Sequence, residues 1–181
     1  GTQTYLVEPA ASGLQTSVQV VKGAGAFVNS VEHQGDNALA IEVVESNDLV
    51  YVADLESGFT FRYTKGLSLV DSIPSPFGVA TTSGLTWNST NNRLYWYNAD
   101  AQTMLDTDLN GANPGTAVSV ESPAGGAIGE IDFNPATGTF WAVDITEDLY
   151  FEFQDDGTPT GTSFSFLLGE GRGNGLTVVN G

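Results

Sequence analysis

A motif of alternating apolar residues recurs along the chain and constrains the fold more than any other feature. Its copies begin at four residues: Ile41, Leu85, Ile131 and Leu176. The repeat length is therefore about 45 residues. Nine positions after the first three starts lies a second apolar pair: Val50-Tyr51, Leu94-Tyr95 and Phe140-Trp141. For the fourth copy that position falls beyond Gly181, and counting on from Gly1 reaches the similar run Thr4-Tyr5-Leu6-Val7-Glu8. The two ends of the chain are therefore predicted to contribute to one structural unit.

Each repeat is predicted to contain four short strands joined by tight turns. A residue followed by Gly between two alternating stretches marks a hairpin, because Gly adopts a positive φ at little cost. Four such turns occur: Lys22-Gly23, Lys65-Gly66, Asn110-Gly111 and Asp156-Gly157. No segment combines 3.6-residue apolar periodicity with helix caps, so no substantial helix is expected. Four strands in a repeat of this length are typical of a β-propeller blade.

The predicted fold is all-β: a single β-propeller domain, residues 1–181, with four four-stranded blades. The blades are assigned to residues 41–84, 85–130, 131–175, and 176–181 joined with 1–40. In this assignment the C-terminal strand Leu176–Val179 pairs with the N-terminal strands. Three closures stay open: a ring within one chain, an eight-bladed ring of two chains that exchange strands, or a head-to-tail series. Each covers sheet edges that otherwise invite aggregation.

The charge of the chain excludes some classes of partner. Five Lys plus Arg stand against 22 Asp plus Glu, a net charge of −17. Such a surface repels the phosphates of nucleic acids and of anionic membranes, whereas cations, cationic partners and neutral sugars are compatible with it. No segment is long and apolar enough to insert into a membrane. Because acidity favours solubility in salty media, a secreted or cell-surface location is expected. The chain has no Cys, which excludes disulfides and thiol chemistry.

One stretch resembles known families. The run Tyr95-Trp96-Tyr97-Asn98 lies within residues 84–111, which resemble a blade of the YWTD propellers of the lipoprotein-receptor group. This stretch is also similar to blades of the NHL and gluconolactonase-like families, and residues 131–157 and 41–66 carry the same outline more weakly. Those families usually have six blades, and their site residues have no counterpart here. The resemblance therefore implies a propeller fold and not an activity.

Residues for nucleophilic catalysis are sparse. The single His33 lies in a polar loop, where a solvated side chain is expected. One His without Cys does not supply a typical zinc set, and no Gly-x-Ser-x-Gly motif occurs. The glycine-rich segment 169–175 carries a carboxylate and lacks the strand–helix context of a phosphate loop. It is predicted to connect the third and fourth blades.

Carboxylates near the axis are the stronger candidates for a site. The second positions of the inner strands hold Glu42, Thr86, Asp132 and Thr177. In a propeller these positions converge, and with Glu130 and Asn174 they could ligate Ca²⁺, which takes about six to eight oxygens. The alternative is that these side chains lie between blades and bond to backbone groups. No other cofactor is expected.

Further candidates lie at the rims. A second polar set follows the second strands and is predicted either to form a binding rim or to cap turns: Asp54, Asn98, Asp100, Asp144 and Glu147. Aromatic residues of the inner and second strands are expected in the core, with any exposed subset suited to stacking on sugar rings. They are Tyr51, Trp87, Tyr95, Trp96, Tyr97 and Trp141. Asn88-Ser89-Thr90 fits the N-glycosylation pattern.

Two function classes follow from these patterns. The first is an extracellular, non-catalytic binding or scaffold module, such as an adhesin, a lectin-like protein or a self-assembling subunit, with a protein or carbohydrate partner. The lack of a nucleophile constellation favours it over an enzyme. The alternative is a Ca²⁺-dependent lactonase or esterase-type hydrolase, in which a channel metal polarises the substrate carbonyl. Its ligands would be Glu42, Glu130, Asp132 and Asn174.

Overall fold

The computed structural model describes residues 3–8, 17–22, 26–35, 37–79, 82–165 and 176. These residues contain strands and turns but no helix, which confirms the predicted all-β fold. The described part of the chain thus contains no helix with the length and hydropathy of a membrane span. The strands form antiparallel sheets. By its internal contacts the chain divides into two compact units, Gly1–Thr82 (unit 1) and Ser83–Gly181 (unit 2).

Unit 1 contains a sheet of three described strands, β1-β2-β3, and the four-stranded sheet β4-β5-β6-β7. The strands are β1 Gln3–Glu8, β2 Ser17–Lys22, β3 Ala26–Glu32, β4 Ala38–Val44, β5 Leu49–Asp54, β6 Phe59–Thr64 and β7 Leu69–Pro74. Their inward apolar side chains form one core that includes Val20, Val52 and Tyr63. The predicted fourth strand of the first sheet, Leu176–Val179, and the closure it would make lie outside the described residues, apart from Leu176.

Unit 2 contains two four-stranded sheets, β8-β9-β10-β11 and β12-β13-β14-β15. The strands are β8 Thr82–Asn88, β9 Arg93–Asn98, β10 Thr103–Thr107, β11 Val118–Ser119, β12 Ile128–Asn134, β13 Thr139–Asp144, β14 Leu149–Phe153 and β15 Pro159–Ser165. One face of each sheet contributes to a shared core that includes Tyr95, Tyr97, Phe140 and Phe153. Burial alternates along β14, where Phe151 and Phe153 are buried. Such alternation is what a strand with one core-facing side requires.

The repeat seen in the sequence is also a repeat of backbone conformation. Left-handed residues occupy equivalent positions in the turns after the first strands: Asp48, Asn92 and Gly138. They do so again after the second strands: Gly58, Gln102 and Asp148. Short polar side chains and Gly tolerate this conformation best, which explains most of these residues. Each of the three sheets that contain these turns is therefore built on the same blade template.

Two of the predicted hairpin turns are confirmed and one is wrong in detail. Gly111 and Gly157 have φ of 73° and 84°, and a Cβ at Gly157 would lie 1.9 Å from the Ser119 carbonyl oxygen. In the turn predicted at Lys65-Gly66, the left-handed residue is instead Leu67, with φ of 66°. Its side chain is buried in the core of unit 1, and that burial offsets the roughly 1–2 kcal/mol cost of the conformation. Gly23 lies outside the described residues.

Candidate functional site

The inner strands of unit 2 bring Thr86 and Asp132 together. The Thr86 hydroxyl donates to Asp132 Oδ1 at 2.8 Å. The backbone N–H of Phe133 lies 3.0 Å from Thr86 Oγ1 and 2.8 Å from Asp132 Oδ1. The pair therefore links strand β8 to strand β12 and accepts a backbone donor. This is the backbone-bonded arrangement that the sequence left open as the alternative to a metal site.

The other carboxylates of this set also accept backbone hydrogen bonds. Glu130 is 7% exposed, and its Oε1 accepts from the N–H groups of Leu85 at 3.2 Å and Ile131 at 3.3 Å. In unit 1, Glu42 Oε1 accepts from the Val43 N–H at 2.7 Å. A buried carboxylate needs such partners, because leaving it unpaired is costly. These contacts give Glu42 and Glu130 structural roles that need no ligand.

The described members of the predicted calcium set do not form a calcium site by themselves. Within the described residues, no three His, Asp or Glu side chains are grouped so that they could hold a metal ion. The oxygens of Thr86, Glu130 and Asp132 named above serve backbone groups and one another. Asn174 and Thr177, the remaining proposed ligands, lie outside the described residues. Calcium binding at these positions therefore stays a prediction.

The calcium prediction has a direct thermal test. If Glu42 and Asp132 share a small channel, as the sequence predicts, their carboxylates repel each other unless a cation or proton neutralises them. Millimolar Ca²⁺ should then raise Tm through linkage, and the double variant Glu42→Gln/Asp132→Asn should lose that response. Melting is compared with chelator and with Ca²⁺ at fixed ionic strength, which removes general screening. An equal response in both proteins would place the metal elsewhere, and no response in the parent would leave these carboxylates as backbone acceptors only.

The predicted rim residues divide by exposure into turn caps and surface carboxylates. Asp54, Asn98 and Asp144 are buried, with exposures of 1%, 7% and 0%. Asn98 Oδ1 accepts from the Ala101 N–H at 2.9 Å. In the same way, Asp144 Oδ1 accepts from two N–H groups of the turn after β13. Asp100 and Glu147 are exposed, so a ligand at the surface can reach only these two directly.

Asn88 of the glycosylation pattern also caps a turn. Its side chain is 8% exposed, and Oδ1 accepts from the N–H groups of Thr90 at 2.9 Å and Asn91 at 3.4 Å. The folded chain therefore offers little of the Asn88 amide to a modifying enzyme. Glycosylation at Asn88 stays a prediction.

The prediction of a solvated His33 is wrong, because the side chain is fully buried in unit 1. Its Nδ1 lies 3.0 Å from the Tyr63 hydroxyl and its Nε2 lies 3.3 Å from Asp54 Oδ2. The Gln34 N–H also donates to the Tyr63 oxygen at 3.3 Å, so the phenol joins the His33 ring to the backbone of the same loop. The buried cluster orders the loop before β4.

Two further features show that this cluster is structural. A Cβ at Gly35 would lie 2.2 Å from Asp54 Oδ2 and 2.8 Å from His33 Nε2, so the loop can approach this closely only with Gly. Burial tends to raise the pKa of Asp54, but hydrogen bonds from Ser57 and Asn37 and the nearby His33 outweigh it and lower that pKa. Asp54 is thus held ionised, as an anchor for the surrounding backbone.

A different part of unit 2 exposes aromatic side chains. Trp141, Tyr150 and Phe164, on β13, β14 and β15, lie on the sheet face opposite the core, and we call them the aromatic face. Phe164 is 53% exposed, and the other two are half-buried. The Phe164 ring centroid lies 5.1 Å from that of Tyr150 and 5.6 Å from that of Trp141. Three rings from three strands therefore form one contiguous surface.

A carboxylate lies beside the aromatic face. Glu152 pairs directly with Trp141 across the strands and shares a face with Tyr150 two residues before it. Its Oε1 accepts from the Thr139 hydroxyl at 2.5 Å and its Oε2 from the Thr160 hydroxyl at 2.9 Å. The hydrogen bond from Thr139, with others from Thr160, Thr162 and Thr137, lowers the pKa of Glu152 despite some opposing desolvation. The side chain is therefore a persistent negative charge.

Of the aromatic face, the sequence placed only Trp141 among the candidates and missed the others. A signal was present in β14, where Tyr150 and Glu152 alternate with the two core phenylalanines. An aromatic residue on the polar side of an amphipathic strand is a marker of an exposed surface. Phe164 could not be assigned to the same surface from the sequence, because only the strand register places it opposite Tyr150.

Comparison with known proteins defines the fold. No profile of a known protein family matches the chain, and no curated protein sequence matches it. Solved structures do match. A catalytically inactive variant of virginiamycin B lyase from Staphylococcus aureus, solved with quinupristin, has a TM-score of 0.59 and 16% identity. Glutaminyl cyclase from Myxococcus xanthus has a TM-score of 0.63 and 16% identity, and a nidogen/laminin complex has 0.60 and 11%.

These neighbours are β-propeller proteins, which confirms the predicted propeller fold. The matches cover 94%, 81% and 86% of this chain for the lyase, the cyclase and the nidogen/laminin complex. They cover 54%, 61% and 58% of those chains, in the same order, so this chain spans little more than half their length. At such identity the likeness establishes the fold alone, because one fold hosts many unrelated functions.

Proposed function

We propose that this chain is a non-catalytic, extracellular or cell-surface binding module that contacts its ligand through the aromatic face. The observation that carries the proposal is the exposure of Phe164, a residue that is 53% exposed and whose ring contacts those of Trp141 and Tyr150. Exposed apolar surface of this kind is costly to maintain and marks interaction sites in folded proteins. Aromatic rings are also enriched where binding energy concentrates.

The state of the ionisable residues supports binding rather than catalysis. A general base must reach substrate, whereas His33 and Asp54 are buried side by side, with His33 Nε2 3.3 Å from Asp54 Oδ2, and Asp54 accepts from the Asn37 N–H of the loop before β4. Glu130 is buried against backbone donors. The described candidates for acid–base chemistry are therefore committed to structure. This favours the binding module over the hydrolase alternative.

The class of partner is narrowed by charge and by one structural neighbour. A net charge of −17 opposes binding to polyanions and favours solubility outside the cell. One matching propeller was solved in a nidogen/laminin complex, which supports a protein partner for the propeller proposed here. A neutral carbohydrate, stacked on the rings, is the other ligand class compatible with this face. Adhesin, lectin-like protein and assembly subunit are all forms of this function.

The test is an array that contains neutral glycans and short basic, acidic and neutral peptides, probed with the parent protein and with Phe164→Ala. We expect at least one class of ligand to bind the parent, and Phe164→Ala to weaken that binding about tenfold, as expected for loss of a central aromatic contact. The matched control is Phe59→Ala, which removes another exposed phenylalanine, 43% exposed, from unit 1. It should bind like the parent.

Two outcomes would contradict this function. One is an affinity that is unchanged in Phe164→Ala, which would show that the aromatic face does not contact the ligand. The other is turnover of simple lactones or esters that requires Ca²⁺ and is lost in Asp132→Asn, which would establish the hydrolase instead. A melting curve of each variant verifies that the fold is intact in every comparison.

A further inference from the structure

We propose that the aromatic face and Glu152 together form a docking site for a lysine or arginine side chain carried by an extended, basic segment of a partner protein. This inference rests on the proposed function and names the chemistry of the ligand. Its components are an ionised carboxylate, three aromatic rings and an exposed edge strand, all within one sheet of unit 2.

The first component is a negative charge that the described cations do not neutralise. Arg62 pairs with Asp71, Lys65 with Glu45 and Asp48, and Arg93 with Asp106. None of the ion pairs among the described residues involves Glu152. Its hydrogen-bond donors are threonine hydroxyls, which are neutral and leave its charge in place. The carboxylate therefore attracts a cation, and the overall charge of −17 steers basic partners towards the protein.

The second component is the set of rings next to this charge. A Lys or Arg cation within about 6 Å of an aromatic centroid is attracted by the electron-rich ring face. Trp141 is the cross-strand partner of Glu152, and cross-strand partners have Cβ atoms roughly 5 Å apart. A long Lys or Arg side chain that reaches Trp141 therefore lies within one residue position of Glu152 on the same face. Phe164, whose ring contacts both Trp141 and Tyr150, extends the surface along which the aliphatic stem of Lys or Arg can lie.

The third component explains why the cation belongs to a protein segment. Strand β15 is the last strand of its sheet among the described strands, and every residue from Pro159 to Ser165 is exposed. An edge strand offers unpaired backbone groups to which an extended peptide can add as a further strand. Alternate side chains of such a peptide would lie on the same side as Phe164 and Thr162, which is the side of the aromatic face.

The hydrogen bonding of Glu152 favours a cation over a sugar. Oε1 already accepts from Thr139, with Thr137 at 3.5 Å, and Oε2 accepts from Thr160. A neutral sugar hydroxyl would gain only a hydrogen bond to this carboxylate. A cation gains Coulomb attraction as well, and that attraction does not require a vacant lone pair. The same rings therefore serve a basic side chain better than a neutral sugar.

The experiment uses two synthetic peptides of alternating threonine and one other residue, which is arginine in the first and the uncharged isostere citrulline in the second. Binding to the full chain is measured by calorimetry at about 150 mM salt, where nonspecific attraction is largely screened. We expect the arginine peptide to bind about tenfold more tightly than the citrulline peptide. Phe164→Leu, which keeps apolar area but removes the ring, and Glu152→Gln should each lose most of that difference.

The controls separate a specific site from general acidity. Glu121→Gln removes one exposed charge elsewhere in unit 2 and, like Phe59→Leu, should leave the preference for arginine unchanged. Equal losses in Glu121→Gln and Glu152→Gln would overturn the docking site, as would an arginine preference that Phe164→Leu does not reduce. If a neutral glycan from the array binds and is lost in Phe164→Ala while neither peptide binds, the cation proposal is overturned and the binding function stands. If neither glycans nor peptides bind, both fail.

Discussion

Replacing Asp144 by Ala should lower the free energy of unfolding by about 3–4 kcal/mol, because several buried donors lose their acceptor at once. Asp144 has no exposed surface. Its Oδ1 accepts from the N–H groups of Thr146 and Glu147, each at 2.9 Å, and its Oδ2 accepts from the Gly126 N–H at 3.1 Å and from the Ser122 hydroxyl. These contacts hold the loop before β12 against the turn after β13. Chemical denaturation at pH 7 measures the loss.

The matched control for this change is Asp100→Ala. Asp100 is an exposed carboxylate in the turn after β9, and surface substitutions usually change stability by less than about 0.5 kcal/mol. A loss of comparable size in both variants would show that net charge matters more than the buried hydrogen bonds. A loss below about 1 kcal/mol in Asp144→Ala would contradict its role as a cap.

Replacing Phe140 by Ala should cost about 3–5 kcal/mol, the usual range when a buried aromatic side chain is removed and the cavity does not collapse. Phe140 is fully buried in the core of unit 2. Its ring centroid lies 4.7 Å from that of Tyr95, 5.2 Å from that of Phe133 and 5.5 Å from that of Phe153. Loss of this ring therefore removes contacts from three strands other than its own. The measurement is again the free energy of unfolding.

Phe164→Ala is the control, since it deletes the same side chain from the exposed face of the same sheet. Its loss of stability should be no more than about half that of Phe140→Ala, because Phe164 is 53% exposed and therefore withdraws only about half as much apolar area from water. Similar losses for the two variants would mean that the aromatic face is part of the core. That result would remove the physical basis of the proposed binding site.

The repeat was predictable from the sequence because strand periodicity and turn chemistry are local. The starts at Leu85 and Ile131 lie within β8 and β12, and the pairs Leu94-Tyr95 and Phe140-Trp141 lie within β9 and β13. Turn details were less predictable where tertiary burial competes with local preference. At Leu67 the core of unit 1 accepts the side chain, and the residue takes a backbone conformation that local rules assign to Gly66.

The candidate site was only partly predictable, because exposure depends on packing and not on residue type. His33 lies among polar residues in the sequence, yet the fold places it against Asp54 and Tyr63. Because these two residues are distant from His33 along the chain, no local sequence pattern predicts that they contact it. Phe140 and Trp141 are adjacent in the chain, and strand alternation places Phe140 in the core and the half-buried Trp141 on the opposite face of the sheet. Glu152 could not be predicted as a site residue, because its neighbours on β13 and β15 follow from the strand pairing and not from the local sequence.

We propose that the aromatic face, and not the inner-strand carboxylates, binds the ligand. The most direct test is ligand binding on the same array by Phe164→Ala and by Glu42→Gln/Asp132→Asn, each compared with the parent at a temperature where melting curves show that all three are folded. We expect the first variant to lose about tenfold in affinity and the double variant to bind like the parent. The opposite pattern, with binding retained in Phe164→Ala and lost in the double variant, would contradict the claim.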